Sequence, residues 1–157
     1  MKTQFWVITI LFAFLLIFGQ ANASEKDDGK PQVPKLVIEA LEKAYPNAKD
    51  VEFEKETLDG KTVYEAEFKL NGREYEVLFD SAGGMLQIEE TLDVKALPEP
   101  LIQAISNVYP KATIEEAEKV TKPDGTFSVY EVEIKNEGKK IELELDVNGK
   151  ILKTEQD

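Results

Sequence analysis

The chain has 157 residues, with 31 acidic and 19 basic side chains, a formal charge of −12 at pH 7, and neither histidine nor cysteine. This composition excludes thiol nucleophiles, disulfides, imidazole bases and histidine metal ligands. Because nucleic-acid phosphates select basic surfaces, we also expect no nucleic-acid partner for so acidic a chain.

The first segment has the pattern of an export signal. Lys2 precedes an apolar run, Phe5–Phe18, and residues 21–23 read Ala-Asn-Ala, the small-x-small pattern that signal peptidase cleaves after. The run is shorter than the roughly 20 residues that a membrane-spanning helix needs. We therefore expect a signal peptide over 1–23, cleavage after Ala23, a periplasmic location and no stable membrane insertion after cleavage. An uncleaved anchor is the alternative.

The rest of the chain contains two segments with similar sequence motifs. Residues 24–32 are polar and charged, which predicts a disordered leader. The motifs that then recur in the same order are Val33-Pro34 with Leu97-Pro98, Tyr45-Pro46 with Tyr109-Pro110, Tyr64-Glu65-x-Glu67 with Tyr130-Glu131-x-Glu133, and Asp80 with Asp146. The spacing drifts only near the first hairpin turn, where loops tolerate insertions. The predicted repeats are 33–92 and 97–157.

Each half opens with a helical pattern and continues with strand patterns. Apolar residues recur every three or four positions over 33–44 and 97–108, and a proline follows each stretch. Apolar and charged residues then alternate, and Asp59-Gly60 and Asn71-Gly72 are hairpin signals. The predicted fold is α+β: a tandem repeat of a helix plus a four-stranded antiparallel sheet, with the helix packed on one sheet face. Whether the two sheets join stays open.

These motifs resemble those of the PepSY-like proteins with a beta-lactamase-inhibitory-protein type of fold. The resemblance covers 33–157 and is carried by Tyr45-Pro46, Tyr109-Pro110, the strands at Tyr64 and Tyr130, and the turns at Asp80 and Asp146. It implies a non-catalytic protein that binds or inhibits enzymes, as relatives do, including as parts of peptidase propeptides. The disulfides of the inhibitory protein are absent, so its target and contact residues are not carried over.

Glutamates fill the alternate positions of the predicted strands, opposite the apolar side chains. The candidate partner-binding residues on this face are Glu65, Glu67, Glu74, Glu76, Glu131, Glu133, Glu142 and Glu144. One interpretation is a solvated face that keeps the protein soluble and protects sheet edges. The other, which the predicted function adopts, is a docking face for a basic protein or peptide.

An enzyme is not predicted. Glu65 with Glu74, and Glu131 with Glu142, could be cross-strand carboxylate pairs of the kind that glycosidases use. On an open sheet face, however, carboxylates are expected to stay solvated, with ordinary pKa values.

Neither a metal site nor a cofactor is predicted. Asp80 and Asp146-x-Asn148-Gly149 offer the oxygen ligands that calcium prefers, but the further acids of a calcium loop are missing, and these residue types are common in hairpin turns. The alternative function is an envelope structural or stress protein that binds a cation such as calcium and has no dedicated protein partner.

Overall fold

The computed structural model describes residues 31–58 and 60–156. The predicted signal peptide, most of the predicted leader and Asp59 of the first hairpin signal lie outside them. The helices and strands are α1 (Lys35–Ala44), β1 (Lys49–Leu58), β2 (Lys61–Leu70), β3 (Arg73–Asp80), β4 (Met85–Thr91), a 3₁₀ helix (Val94–Ala96), α2 (Glu99–Val108), β5 (Thr113–Thr121), β6 (Phe127–Asn136), β7 (Lys139–Leu145) and β8 (Ile151–Gln156).

The strands form one open antiparallel sheet of eight strands, whose order in space is their order in the sequence. Within this sheet β4 pairs directly with β5, from Ile88 opposite Thr121 to Thr91 opposite Glu118. Within the described residues the fold is therefore α+β, with one continuous sheet and two α-helices, so the two sheets that the sequence left open are joined.

Both helices present one apolar side and end in the same way. Val37 and Leu41 of α1 are buried, as are Leu101 and Ile105 of α2. A proline precedes each helix, where its fixed φ suits helix entry. At the other end the Tyr45 amide donates to the Leu41 carbonyl at 2.7 Å, and the matching tyrosine of α2 does the same.

Two apolar clusters form the interior on one side of the sheet, and each contains residues of one helix. The first cluster holds Val37, Leu41, Tyr64, Ala66, Phe68, Val77 and Phe79. The second holds Leu97, Leu101, Ile105, Ala117, Val132, Ile134, Ile141, Leu143 and Leu145. Since burial of one such side chain contributes about 1.5–3 kcal/mol, these clusters supply the main stabilisation of a chain without cross-links.

A glycine in the last turn of each half lies against the first residues of a helix. A Cβ atom on Gly83 would lie 2.5 Å from the Leu36 carbonyl oxygen, and one on Gly149 would lie 2.4 Å from that of Pro100. Both glycines also have φ near +80°. No other residue type fits there without moving the backbone, because the space is filled and the conformation disfavours a side chain.

Candidate functional site

The side of the sheet opposite the two apolar clusters carries a field of carboxylates, here called the acidic face. Strand alternation places Glu65 and Glu67 on the opposite side from Ala66 and Phe68, and the register continues that face across the sheet. Its carboxylates are Glu52, Glu54, Glu56, Glu65, Glu67, Glu74, Glu76, Glu89, Glu116, Glu118, Glu131, Glu133, Glu142, Glu144 and Glu155.

The cross-strand pairs differ from the two that were expected. Glu74 lies opposite Lys69, and Glu65 lies opposite Leu78. In the second half Glu131 lies opposite Glu144. The carboxylate pairs that do form across these hairpins are Glu67 with Glu76, Glu131 with Glu144, and Glu133 with Glu142. The pairs Glu65–Glu74 and Glu131–Glu142, which the sequence allowed as cross-strand neighbours, are therefore offset by four and two positions along the strand.

The expectation that the whole face is solvated is also wrong. The exposed fractions of Glu65, Glu131 and Glu144 are only 2%, 7% and 5%. Of the other candidate partner-binding residues, Glu67, Glu76, Glu133 and Glu142 are half-buried and Glu74 is exposed. The face thus has a buried layer of carboxylates with a more accessible layer around it.

Four apolar side chains lie among these carboxylates rather than in the helix-side clusters. Val63, Leu78, Val120 and Val129 are each at most 3% exposed, and Leu78 is the cross-strand neighbour of Glu65. Glutamate stems are aliphatic, so neighbouring glutamates can cover such side chains with their methylene groups. Packing of this kind accounts for charged residues that are buried on the side opposite the described helices.

Burial raises the carboxyl pKa values in this layer. For Glu65 the largest cause is burial, followed by the charges of Glu56 and Glu89, and together they raise its pKa to about 8. In the accessible layer around it, partial burial and the charge of Glu155 raise the pKa of Glu142 to about 7, although the Lys153 ammonium opposes them. At neutral pH part of the acidic face therefore holds protons, which reduces its charge.

The tightest concentration of carboxylates lies where the two halves of the sheet meet. Glu76, Glu89 and Glu118 each offer a carboxylate oxygen, and the three oxygens lie within 4.8 Å of one another. Burial raises the pKa of all three, and Glu89 and Glu118 share a hydrogen bond between their side chains. The Gln87 amide also donates to Glu89 Oε1 at 2.7 Å.

Lysines neutralise the margins of the acidic face rather than this concentration. The Lys140 ammonium lies 2.9 Å from Glu133, and the Lys69 ammonium lies 3.4 Å from Glu74. At the far edge Lys153 pairs with carboxylates of β7 and β8. Exposed pairs such as Lys69–Glu74 contribute little stability, about 0–1 kcal/mol each, and no ion pair among the described residues reaches Glu76, Glu89 or Glu118.

The turn aspartates that were weighed as calcium ligands serve the turns themselves. Asp80 Oδ1 accepts hydrogen bonds of 2.8 Å from the backbone amides of Ala82 and Gly84. Asp146 Oδ1 accepts the equivalent pair, at 2.9 and 3.0 Å. An oxygen with two amide donors is engaged in turn formation, as the sequence predicted.

Sequence reasoning missed Glu89 as a member of the acidic face. Its strand alternates Gln87, Glu89 and Thr91 with Ile88 and Glu90, so a charged residue stands on both sides. Glu90 pairs with the Arg73 guanidinium, which explains its place on the other side. The usable signal was the apolar Ile88, which is partly buried against the first cluster and so fixes the face of its two neighbours.

The comparisons with known proteins agree with the fold and with the motifs. The sequence profile of the family described as "Putative beta-lactamase-inhibitor-like, PepSY-like" matches residues 62–153. The chain belongs to the PepSY-like family. A second profile, the peptidase propeptide and YPEB domain, matches residues 34–84. The resemblance inferred from the repeated motifs is thereby confirmed.

Solved structures similar to this PepSY-like chain come from Bacteroides species. A BLIP-like protein from Bacteroides fragilis is 25% identical, with a TM-score of 0.65 over 84% of this chain and 92% of that one. A protein from Bacteroides eggerthii described as "putative periplasmic" is 18% identical, with a TM-score of 0.68 over 80% and 90%. A DUF2874 family protein from Bacteroides uniformis is 22% identical, with a TM-score of 0.66 over 79% and 89%.

Two further comparisons gave negative results. No curated protein matches the chain. Within residues 31–58 and 60–156, no helix has the length and apolar character needed to cross a membrane.

Proposed function

We propose that this PepSY-like protein is an exported, periplasmic, non-catalytic module that docks a basic protein partner through its acidic face. The observation that carries the proposal is the broad carboxylate face on the side of the sheet opposite both described helices. No lysine or arginine within residues 31–58 and 60–156 pairs with Glu76, Glu89 or Glu118 at its centre. Its membership of a family described as inhibitor-like, and its likeness to a BLIP-like protein, support a binding role. Relatives described as periplasmic support the location.

We further propose that residues 1–23 are a cleaved signal peptide and that 33–92 and 97–157 are two copies of one unit. Both stretches run through one helix and four strands in the same order. In both, the last hairpin turn contains an aspartate whose side chain accepts hydrogen bonds from backbone amides of the same turn, and a glycine that lies against the helix. Shared turn chemistry of this detail supports duplication more strongly than apolar patterning does.

The accessible and the buried carboxylates of the face would contribute to partner binding in different ways. The accessible carboxylates Glu67, Glu74, Glu133 and Glu142 can contact lysine or arginine side chains directly. The buried Glu65 and Glu131, whose pKa values lie above 7, add negative charge only where a nearby cation draws them into the ionised form. A cation brought close to carboxylates with raised pKa values also favours their ionised form, so docking would strengthen the attraction that guides it.

The test combines salt dependence with charge reversal. Proteins of the envelope fraction that the purified protein retains at low salt and releases at high salt are identified. The purified partner is then titrated against the wild type and two triple variants. The first variant reverses Glu67, Glu74 and Glu142 to lysine, and the control reverses Glu39, Glu42 and Glu137, which are exposed and lie outside the face. Glu65 and Glu131 are left intact, because a buried lysine would threaten folding.

We expect the face variant to raise the Kd by at least about 100-fold, since each reversed contact is worth on the order of 1 kcal/mol, while the control changes it less than about threefold. Circular dichroism melts establish that both variants are folded. Binding that ignores salt, an equal loss in the control, or no protein retained at low salt would each contradict docking through this face.

A further inference from the structure

The carboxylates where the two halves of the sheet meet have the arrangement of a cation site. Glu76 stands on β3, Glu89 on β4 and Glu118 on β5, and one oxygen from each lies within 4.8 Å of the other two. Three points at that largest separation lie about 2.8 Å from a common centre, only slightly beyond the roughly 2.3–2.6 Å of a calcium–oxygen bond. Shifts of a few tenths of an ångström at most would bring all three onto one ion.

Glu131 on the neighbouring strand β6 supplies an independent observation. Its exposed fraction is 7%, and its Oε1 atom is buried without a hydrogen-bond partner. It lies directly opposite Glu118 on the same face of the sheet, so its side chain stands beside the three-oxygen group. A buried, unpartnered carboxylate oxygen is costly, and it needs an explanation in a partner that binds there.

We infer that Glu76, Glu89, Glu118 and Glu131 bind one divalent cation, and that this cation is calcium. Carboxylate oxygens are the ligands that hard cations prefer, and calcium accepts irregular arrangements that magnesium, with its near-ideal octahedron and bonds of about 2.0–2.1 Å, does not. In the part of the chain that the structure describes, none of the four carboxylates forms a salt bridge.

A calcium ion fits this place better than a lysine or arginine from a partner. Glu89 and Glu131 are each only 7% exposed, so a long side chain could reach them only by displacing their neighbours. An ammonium group also carries a single charge, whereas four ionised carboxylates need more than that to offset their repulsion at close range. This cation site is independent of whether a protein docks on the surrounding face.

The position of the site gives it a structural role. Glu76 and Glu89 come from the first half of the chain and Glu118 and Glu131 from the second, and they flank the β4–β5 pairing. Calcium bound there would link the two halves on the side of the sheet opposite both described helices, in place of the protons that these carboxyls otherwise hold. We therefore expect calcium to stabilise the folded protein as well as bind it.

The test uses the purified protein freed of metal with a chelator. Isothermal titration calorimetry with calcium chloride should give one site, with a Kd in the range of about 10⁻⁵ to 10⁻³ M typical of weaker protein sites. Thermal unfolding with calcium well above that Kd should raise the Tm by about 5 °C or more, and magnesium should raise it less. The variants Glu118→Gln and Glu131→Gln remove one ligand each, and Glu54→Gln removes an exposed carboxylate of the same face.

We expect both ligand variants to raise the Kd for calcium at least about tenfold, and the Glu54→Gln control to bind as the wild type does. Both ligand variants should remain folded, because glutamine keeps the shape and removes like-charge repulsion, and their melting without calcium checks this. The inference is overturned if the wild type binds no calcium, if magnesium stabilises equally, or if calcium raises the Tm of every variant by the same amount, which would mark general charge screening.

Discussion

Replacement of Glu65 by glutamine should stabilise the protein, and increasingly so as the pH rises. Glu65 is 2% exposed, and its nearest charged neighbours on the acidic face are the carboxylates Glu54, Glu56, Glu67 and Glu89. Burial and those charges raise its pKa from 4.5 to about 8. Between these two values the folded protein holds a proton that the unfolded chain has released, so the free energy of unfolding falls as the pH rises.

The size of the effect follows from the two pKa values. A difference of about 3.5 (8 − 4.5), at about 1.36 kcal/mol per pKa unit, amounts to about 5 kcal/mol once the pH exceeds both values. Linkage gives a cost of about 1 kcal/mol at pH 5 and nearly the full amount at pH 9, so the advantage of Glu65→Gln should grow by about 4 kcal/mol over that interval. Glutamine has no charge to bury and nearly the same shape.

Urea unfolding at pH 5, 7 and 9, with a chelator present, measures this directly. With an m-value of about 2 kcal/mol/M, the midpoint of the variant should move about 2 M above that of the wild type at pH 9 and far less at pH 5. Glu54→Gln is the matched control, because Glu54 lies opposite Glu65 on β1 but is exposed. Equal differences between Glu65→Gln and the wild type at all three pH values would refute the reasoning, as would an equal gain in the control.

Two further predictions concern packing. Gly149→Ala should lower the free energy of unfolding, measured by urea titration, by about 3 kcal/mol or more, because its Cβ would meet the Pro100 carbonyl oxygen at 2.4 Å. Gly72 has a similar φ but open space around it, so Gly72→Ala should lower that free energy by only about 1–2 kcal/mol. Equal losses would show that the turn does not abut the helix. Leu78→Ala should cost about 2–4 kcal/mol although Leu78 lies on the helix-free side, because only 2% of it is exposed. Leu86→Ala, at 38% exposed, should cost less than about 1 kcal/mol, and a Leu78→Ala variant as stable as that control would contradict burial beneath the glutamates.

Local turn chemistry made much of the strand layout predictable from the sequence. Asn71 and Gly72 have φ values of 53° and 81°, the paired left-handed conformation that a two-residue hairpin turn requires. That turn alone places Leu70 opposite Arg73 and hence Glu65 opposite Leu78, so the correct register could have been counted from it. Glu65 and Glu74 are not cross-strand partners, because the alternation of side chains assigns the faces of a strand but does not by itself give the register.

The burial of the carboxylates was beyond such reasoning. Alternation tells which side of a strand a residue takes, but not how closely the side chains of adjacent strands crowd once eight strands join. Glu131 and Glu144 look like ordinary solvent-facing residues in the sequence, and they become buried only because neighbouring strands surround them. The grouping of Glu76 with Glu118 likewise depends on the β4–β5 pairing, which links parts of the chain that no local pattern connects.

The strand order has a consequence for how the molecule avoids aggregation while it folds. Because every strand pairs only with its sequence neighbours, β1 to β4 can complete their hydrogen bonding before β5 is available. Until then β4 presents an open edge, which is a template for pairing with the same edge of another copy. Glu89 and Glu90 are consecutive on that edge and project to opposite faces, so a second copy of β4 paired there would bring carboxylates close together on either face. Glu89, which crowds with other carboxylates in the finished sheet, thus also disfavours pairing between copies while the chain folds.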